Sequence, residues 1–137
     1  MPRIDVSFLL MAVLCLIVGL VMGIGMGVAH DFQFAPVHAH LNMVGFVSLA
    51  IFGLTYKLYP ALQRSRLAVP HLAASGLGAL VFPFGIWLSI GFGTPTVAIL
   101  GALIVLAGVL MFAANLILNV ALAGATSSLA RAVPWAA

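Results

Sequence analysis

Four runs of mostly apolar residues, each long enough to cross a lipid bilayer as a helix, fill most of this chain. They extend from about Phe8 to Val28, Val37 to Tyr59, Pro70 to Gly91 and Thr96 to Ala121. The hydrocarbon core of a bilayer is roughly 30 Å thick and a helix rises roughly 1.5 Å per residue, so about 20 apolar residues make one span. Only 5% of the residues are charged and 65% are hydrophobic, whereas a soluble domain carries roughly a quarter charged residues. The pattern predicts an all-α, integral membrane four-helix bundle, a single domain over residues 1–137. Between the spans lie His30–Pro36, Pro60–Val69 and Gly91–Pro95, rich in turn formers. Pro36 and Pro70 fall where a first helical turn tolerates a missing N–H. Pro83 falls inside the third run, where a kink is expected.

Orientation follows from the basic residues. With four spans, the N-terminus, the second–third loop and the C-terminus share one side. Arg3, Lys57, Arg64, Arg66 and Arg131 all fall there, and the opposite loops carry no Lys or Arg. The positive-inside rule makes that side cytoplasmic, as in a bacterial-type inner membrane. The first run is too long for a cleaved signal peptide, and Asp5 stands close to Arg3 at its start. The tail from Thr126 to Ala137 is expected at the cytoplasmic interface, with Trp135 as its anchor. Five basic residues scattered over a hydrophobic chain form no basic face, which excludes nucleic acid as a partner. Cys15 is the only cysteine and lies in an apolar run, so no intramolecular disulfide is possible.

Polar groups at membrane depth carry a free-energy cost unless they are paired or used. His38 and His40 open the second run in His38-Ala39-His40-Leu41-Asn42, and His30 precedes Asp31 at the end of the first. All three fall at the outer end. His71 opens the third run on the cytoplasmic side, most of a membrane thickness away, and is expected to be structural. Two residues along a helix turn the chain by about 200°, so the His38 and His40 rings face nearly opposite ways. One helix cannot chelate one small ion with both, but it can offer one ligand to each of two neighbouring sites. Imidazole suits haem iron, copper and zinc, and an apolar slot between helices suits a flat macrocycle better than a hydrated ion. Asn42, one turn after His38, is a candidate partner for that ligand or a helix–helix hydrogen-bonder.

The stretch His38-Ala39-His40-Leu41-Asn42-Met43-Val44-Gly45-Phe46, continuing to Gly53-Leu54-Thr55-Tyr56-Lys57-Leu58-Tyr59-Pro60, resembles the tenth helix of the catalytic subunit of cbb-type haem–copper oxidases, whose superfamily includes the nitric oxide reductases. The next stretch, with His71, Ser75-Gly76-Leu77-Gly78 and Trp87 before Gly91, is similar to the family's eleventh helix, although the aromatic pair after that helix's His is absent. The resemblance covers about 55 of the 137 residues. It implies that His38 and His40 are axial ligands of two different haems b near the outer face, which is where the charge bias independently places them. The family's copper ligands lie on helices this chain does not have. Its arginines near the haem propionates also have no counterpart in the outer loops, which leaves His30, Gln33 and backbone N–H groups of the His30–Pro36 loop, or a partner protein.

The family's twelve-helix subunit is a pseudo-threefold ring of four-helix arcs, and this chain is similar to one arc. The resemblance therefore implies a homotrimer in the bilayer, with His38 of one protomer and His40 of the next clamping one iron. The first expected function is a haem b cytochrome that transfers electrons, with a redox partner at the outer face. The second is an oxidase or nitric oxide reductase-like enzyme with an open iron position or a second metal, for which His30 is the only outer spare. The third is a copper- or zinc-binding or structural membrane subunit without haem, and Met22, Met26 and Met43 near the outer histidines keep copper in view. Gly19, Gly23 and Gly27 form a smooth stripe for close helix packing, and Asn115 and Asn119 are expected to hydrogen-bond between helices.

Overall fold

The computed structural model describes residues 3–121, all of whose regular structure is helical. Four helices are long and apolar enough to cross a membrane: Ile4–Ala29, Ala35–Leu58, Ala68–Phe92 and Thr96–Val120. A multi-pass membrane protein is the architecture these helices support. Arg131, Trp135 and the rest of the expected interfacial tail lie outside the described residues.

The first helix begins about one turn before the predicted Phe8. Ser7 N–H bonds Arg3 O at 2.9 Å, and Asp5 in the first turn complements the positive end of the helix dipole. Asp5 also pairs with Arg3 at 3.5 Å. That helix ends at His30, whose backbone is left-handed (φ 52°) and whose N–H bonds Gly27 O. The predicted loop from Pro60 to Val69 contains a helical turn, Pro60–Gln63, with proline at the start where its missing N–H costs nothing. The third helix continues through Pro83 to Phe92 and closes on Gly93, left-handed at φ 69°.

Between apolar helices in lipid there is little hydrophobic drive, so close packing and hydrogen bonds hold the bundle. The first helix runs antiparallel to the second: Gly53 faces Leu9, Gly45 faces Cys15 and Gly19 faces Asn42. Of the stripe seen in the sequence, Gly19 and Gly23 are used this way, and nothing lies within 4 Å of a Cβ placed at Gly27. The third and fourth helices form the most extensive contact, with Gly101 against the Phe82 backbone and Gly78 against Val105.

At the end opposite the His pair, the core is aromatic and polar. Phe8, Phe52, Tyr56 and Phe112 surround His71, with ring centroids 4.8–5.7 Å from it. Asn115 donates from Nδ2 to Tyr56 Oη at 2.9 Å and approaches Leu62 O at 3.4 Å. Asn119 in turn donates to Asn115 Oδ1 at 2.7 Å. The expectation that the two asparagines hydrogen-bond between helices is met by Asn115, while Asn119 braces it from one turn away. Asn115→Ala removes a fully buried side chain and the central donor of this network. It is expected to cost about 1.5 kcal/mol, seen as a lower unfolding temperature in detergent with helix content unchanged.

Candidate functional site

The second helix changes character where the two outer histidines stand. Ala35–His40 is α-helical, Leu41–Ser48 is π-helical, and the α-helix resumes from Leu49 to Leu58. A π-helical stretch widens the turn and shifts the register of side chains on either side, and such stretches are frequent at functional sites. Ser48 Oγ donates to Met43 O, five residues back, at 2.9 Å.

His38 and His40 each lie half-buried and turn to different neighbours, as their spacing predicts. The His38 ring packs on the first helix, where a Cβ at Gly23 would come within 2.8 Å of its Cε1. Its Nδ1 lies 2.8 Å from Gly19 O. The His40 ring meets Phe82 of the third helix edge-on, with centroids 4.8 Å apart at 75°, and its Nδ1 lies 2.7 Å from Pro36 O. A carbonyl oxygen only accepts, so Nδ1 is the donor in both rings. In the neutral imidazole, Nε2 then carries the lone pair. Both histidines are therefore held in the tautomer that leaves Nε2 unprotonated.

Asn42 donates from Nδ2 to His38 O at 2.9 Å and packs on Gly19. It stands 3.4 Å from His38 Nδ1, but that nitrogen already donates to Gly19 O, so the Asn42 role is to brace the backbone beneath His38. Asn42 touches the first helix only by packing on Gly19, and its hydrogen bonds stay within its own helix. His30 is exposed at the end of the first helix and caps it. The turn that follows is closed by Gln33 N–H bonding Asp31 Oδ1 at 3.0 Å. Among the described residues, no group of three His, Cys, Asp or Glu side chains is placed to hold a metal ion. His71 is fully buried in the opposite half of the bundle. It packs on Tyr56, which lies sixteen residues beyond His40, or roughly 24 Å of helix rise.

Three contributors escape a reading of the sequence alone. Gly23 looks like one member of a packing stripe, yet it is the surface on which His38 rests. Phe82 gives no signal in an apolar run. The π-helical segment Leu41–Ser48 corresponds to no motif in the sequence. Comparison with family models, with curated proteins and with solved structures finds no match.

Proposed function

We propose that this protein is a haem b membrane cytochrome of an inner membrane, with His38 and His40 as axial ligands on the outer side and both termini cytoplasmic. The observation that carries this reading is the anchoring of both Nδ1 atoms on backbone carbonyls, at 2.8 and 2.7 Å. Histidines that ligate a metal commonly donate their other N–H to a carbonyl or carboxylate, which fixes the ring and raises the basicity of the ligating nitrogen. The sequence resemblance to haem–copper oxidases supplies the choice of haem over a bare ion. The two rings face different helices, so the ligands are assigned to two irons, each shared between His38 of one protomer and His40 of the next in a homotrimer of arcs.

Bound haem supplies a one-electron iron couple. The chain's part would be to hold both imidazoles in one tautomer, His40 against Phe82 and His38 against Gly19 and Gly23. A haem held by both imidazoles would favour electron transfer over binding of a gas. A partner at the outer face, where His30, Asp31 and Gln33 lie exposed, would exchange the electron.

The test is a reduced-minus-oxidised visible spectrum of the detergent-purified protein, with haem quantified per chain and mass measured in native detergent. Sharp six-coordinate b-type bands, about one haem per chain and a trimer mass are expected from the shared-ligand geometry. A colourless protein would overturn the haem assignment, and a loaded monomer or dimer would overturn the trimer.

A further inference from the structure

The two ends of the bundle carry opposite charge. The sequence holds only two acidic side chains, Asp5 and Asp31. Asp31 lies at the end of the His pair, where its carboxylate accepts from Gln33 N–H. Asp5 is buried at the other end and pairs with Arg3. Lys57 stands at that same end, since a Cβ at Gly53, one turn before it, would lie 3.0 Å from Asp5 O. Arg64 and Arg66 follow in the connection to the third helix. Lys57, Arg64 and Arg66 are all exposed, and none has an ion pair among the described residues.

The segment that carries them is fixed to the bundle. Arg64 N–H and Ser65 N–H bond back to Ala61 O and Leu62 O at 3.2 and 3.3 Å, and Leu67 N–H donates to Ser65 Oγ at 3.2 Å. Leu62 is fully buried, with Asn115 Nδ2 approaching its carbonyl at 3.4 Å. Gln63 Nε2 donates to Tyr56 O at 3.2 Å, which ties the residue before Arg64 to the residue before Lys57. Tyr56 is itself held from inside, its Oη bonded by Asn115 and 3.0 Å from His71 Nδ1. The buried polar line thus anchors the basic end from beneath, and cations on a fixed frame lose less freedom on binding.

Their height in the membrane selects the occupant. Lys57 is the penultimate residue of a spanning helix. It lies beside Leu54 and Leu58, 53% and 74% exposed, which share one face at a spacing of one turn. Long basic side chains at a helix end extend toward the interface, where lipid phosphates lie. We propose that Lys57, Arg64 and Arg66 form a docking surface for the headgroup of an anionic phospholipid, with Leu54 and Leu58 against its acyl chains. Three cations with no acid of their own chain supply the charge complementarity, and the adjoining leucines commit the surface to a lipid rather than to dissolved phosphate. The surface is independent of haem, since none of its members is an assigned ligand.

Electron paramagnetic resonance of spin-labelled lipids tests this on the full chain in symmetric phosphatidylcholine vesicles, where the direction of insertion does not matter. The readout is the association of a phosphatidylglycerol probe relative to a phosphatidylcholine probe with the same chains. A ratio of about five or more is expected at low salt, because one cation at a membrane surface contributes about that factor toward anionic lipid. Lys57→Gln, Arg64→Gln and Arg66→Gln should each lower the ratio, and the triple variant should bring it toward one. Arg64→Lys and Arg66→Lys should keep it, since the charge is what counts. In 1 M salt, where the Debye length is about 3 Å, most of the preference should vanish. A ratio of one in the unaltered protein, or a preference that survives in the triple variant, would overturn the lipid surface. The unaltered protein and its salt dependence are decisive by themselves if the triple variant fails to fold.

Discussion

His38→Ala and His40→Ala are each expected to abolish the six-coordinate haem spectrum, while His71→Ala leaves it intact. The asymmetry follows from position: His71 is enclosed by Phe8, Phe52, Tyr56 and Phe112 at the other end of the bundle. In a trimer with shared ligands, loss of either outer histidine breaks every iron site, so neither variant should retain a partial set. The supports should matter too. Gly23→Ala places a methyl 2.8 Å from His38 Cε1 and must push the ring off its Gly19 carbonyl anchor. Losing such an orienting bond commonly lowers metal affinity about 10- to 100-fold. Gly27→Ala, with nothing within 4 Å, is the matched control and should be neutral. Haem per chain and the visible spectrum read all five variants. Normal spectra in both outer histidine variants would count decisively against the ligand assignment.

A large loss of stability is expected from Gly101→Val. A Cβ there would stand 2.6 Å from Phe82 Cα and 2.7 Å from Phe82 N. These are backbone atoms, so no rotamer change relieves the overlap and the two helices must part. Overpacking of this kind costs about 3 kcal/mol or more. The third and fourth helices have no hydrophobic drive to restore their contact in lipid. Because Phe82 also meets the His40 ring, the damage should reach the functional site and appear as altered haem absorption in any folded fraction. Gly91→Ala, exposed with nothing within 4 Å, should be neutral or slightly stabilising through its helix propensity. Thermal unfolding in detergent, followed by circular dichroism, distinguishes the two. Equal melting temperatures for Gly101→Val and the unaltered protein would show that the helix pair does not depend on this close approach.

Much of the architecture is legible because a bilayer permits few solutions. A backbone in hydrocarbon must satisfy its own hydrogen bonds, so four long apolar runs mean four helices, and their ends follow from Pro, Gly and the first charges. The His-x-His spacing likewise has one consequence on a helix, and His38 and His40 do turn to different neighbours. Residue patterns also single out Asn42 and Asn115 as polar groups that need partners. What the linear chain leaves open is which partners. In lipid, all apolar faces resemble one another energetically, so hydropathy does not say that Gly23 rather than Gly27 meets an imidazole, or that Phe82 faces His40.

His71 shows the same division. Its position at the start of an apolar run marks it as costly, and its separation from the outer histidines follows from counting residues. Only the folded bundle brings Tyr56, from the second helix, and Asn115, fifty-nine residues further on, into one hydrogen-bonded line with it. Sequence alone determined a four-span helical chain with paired histidines at one end and a lone one at the other. The tertiary structure decided the tautomers, the π-helical turn and the buried polar line. Those depend on where carbonyls, rings and glycines from different helices meet, and close packing settles that at the scale of a single methyl group.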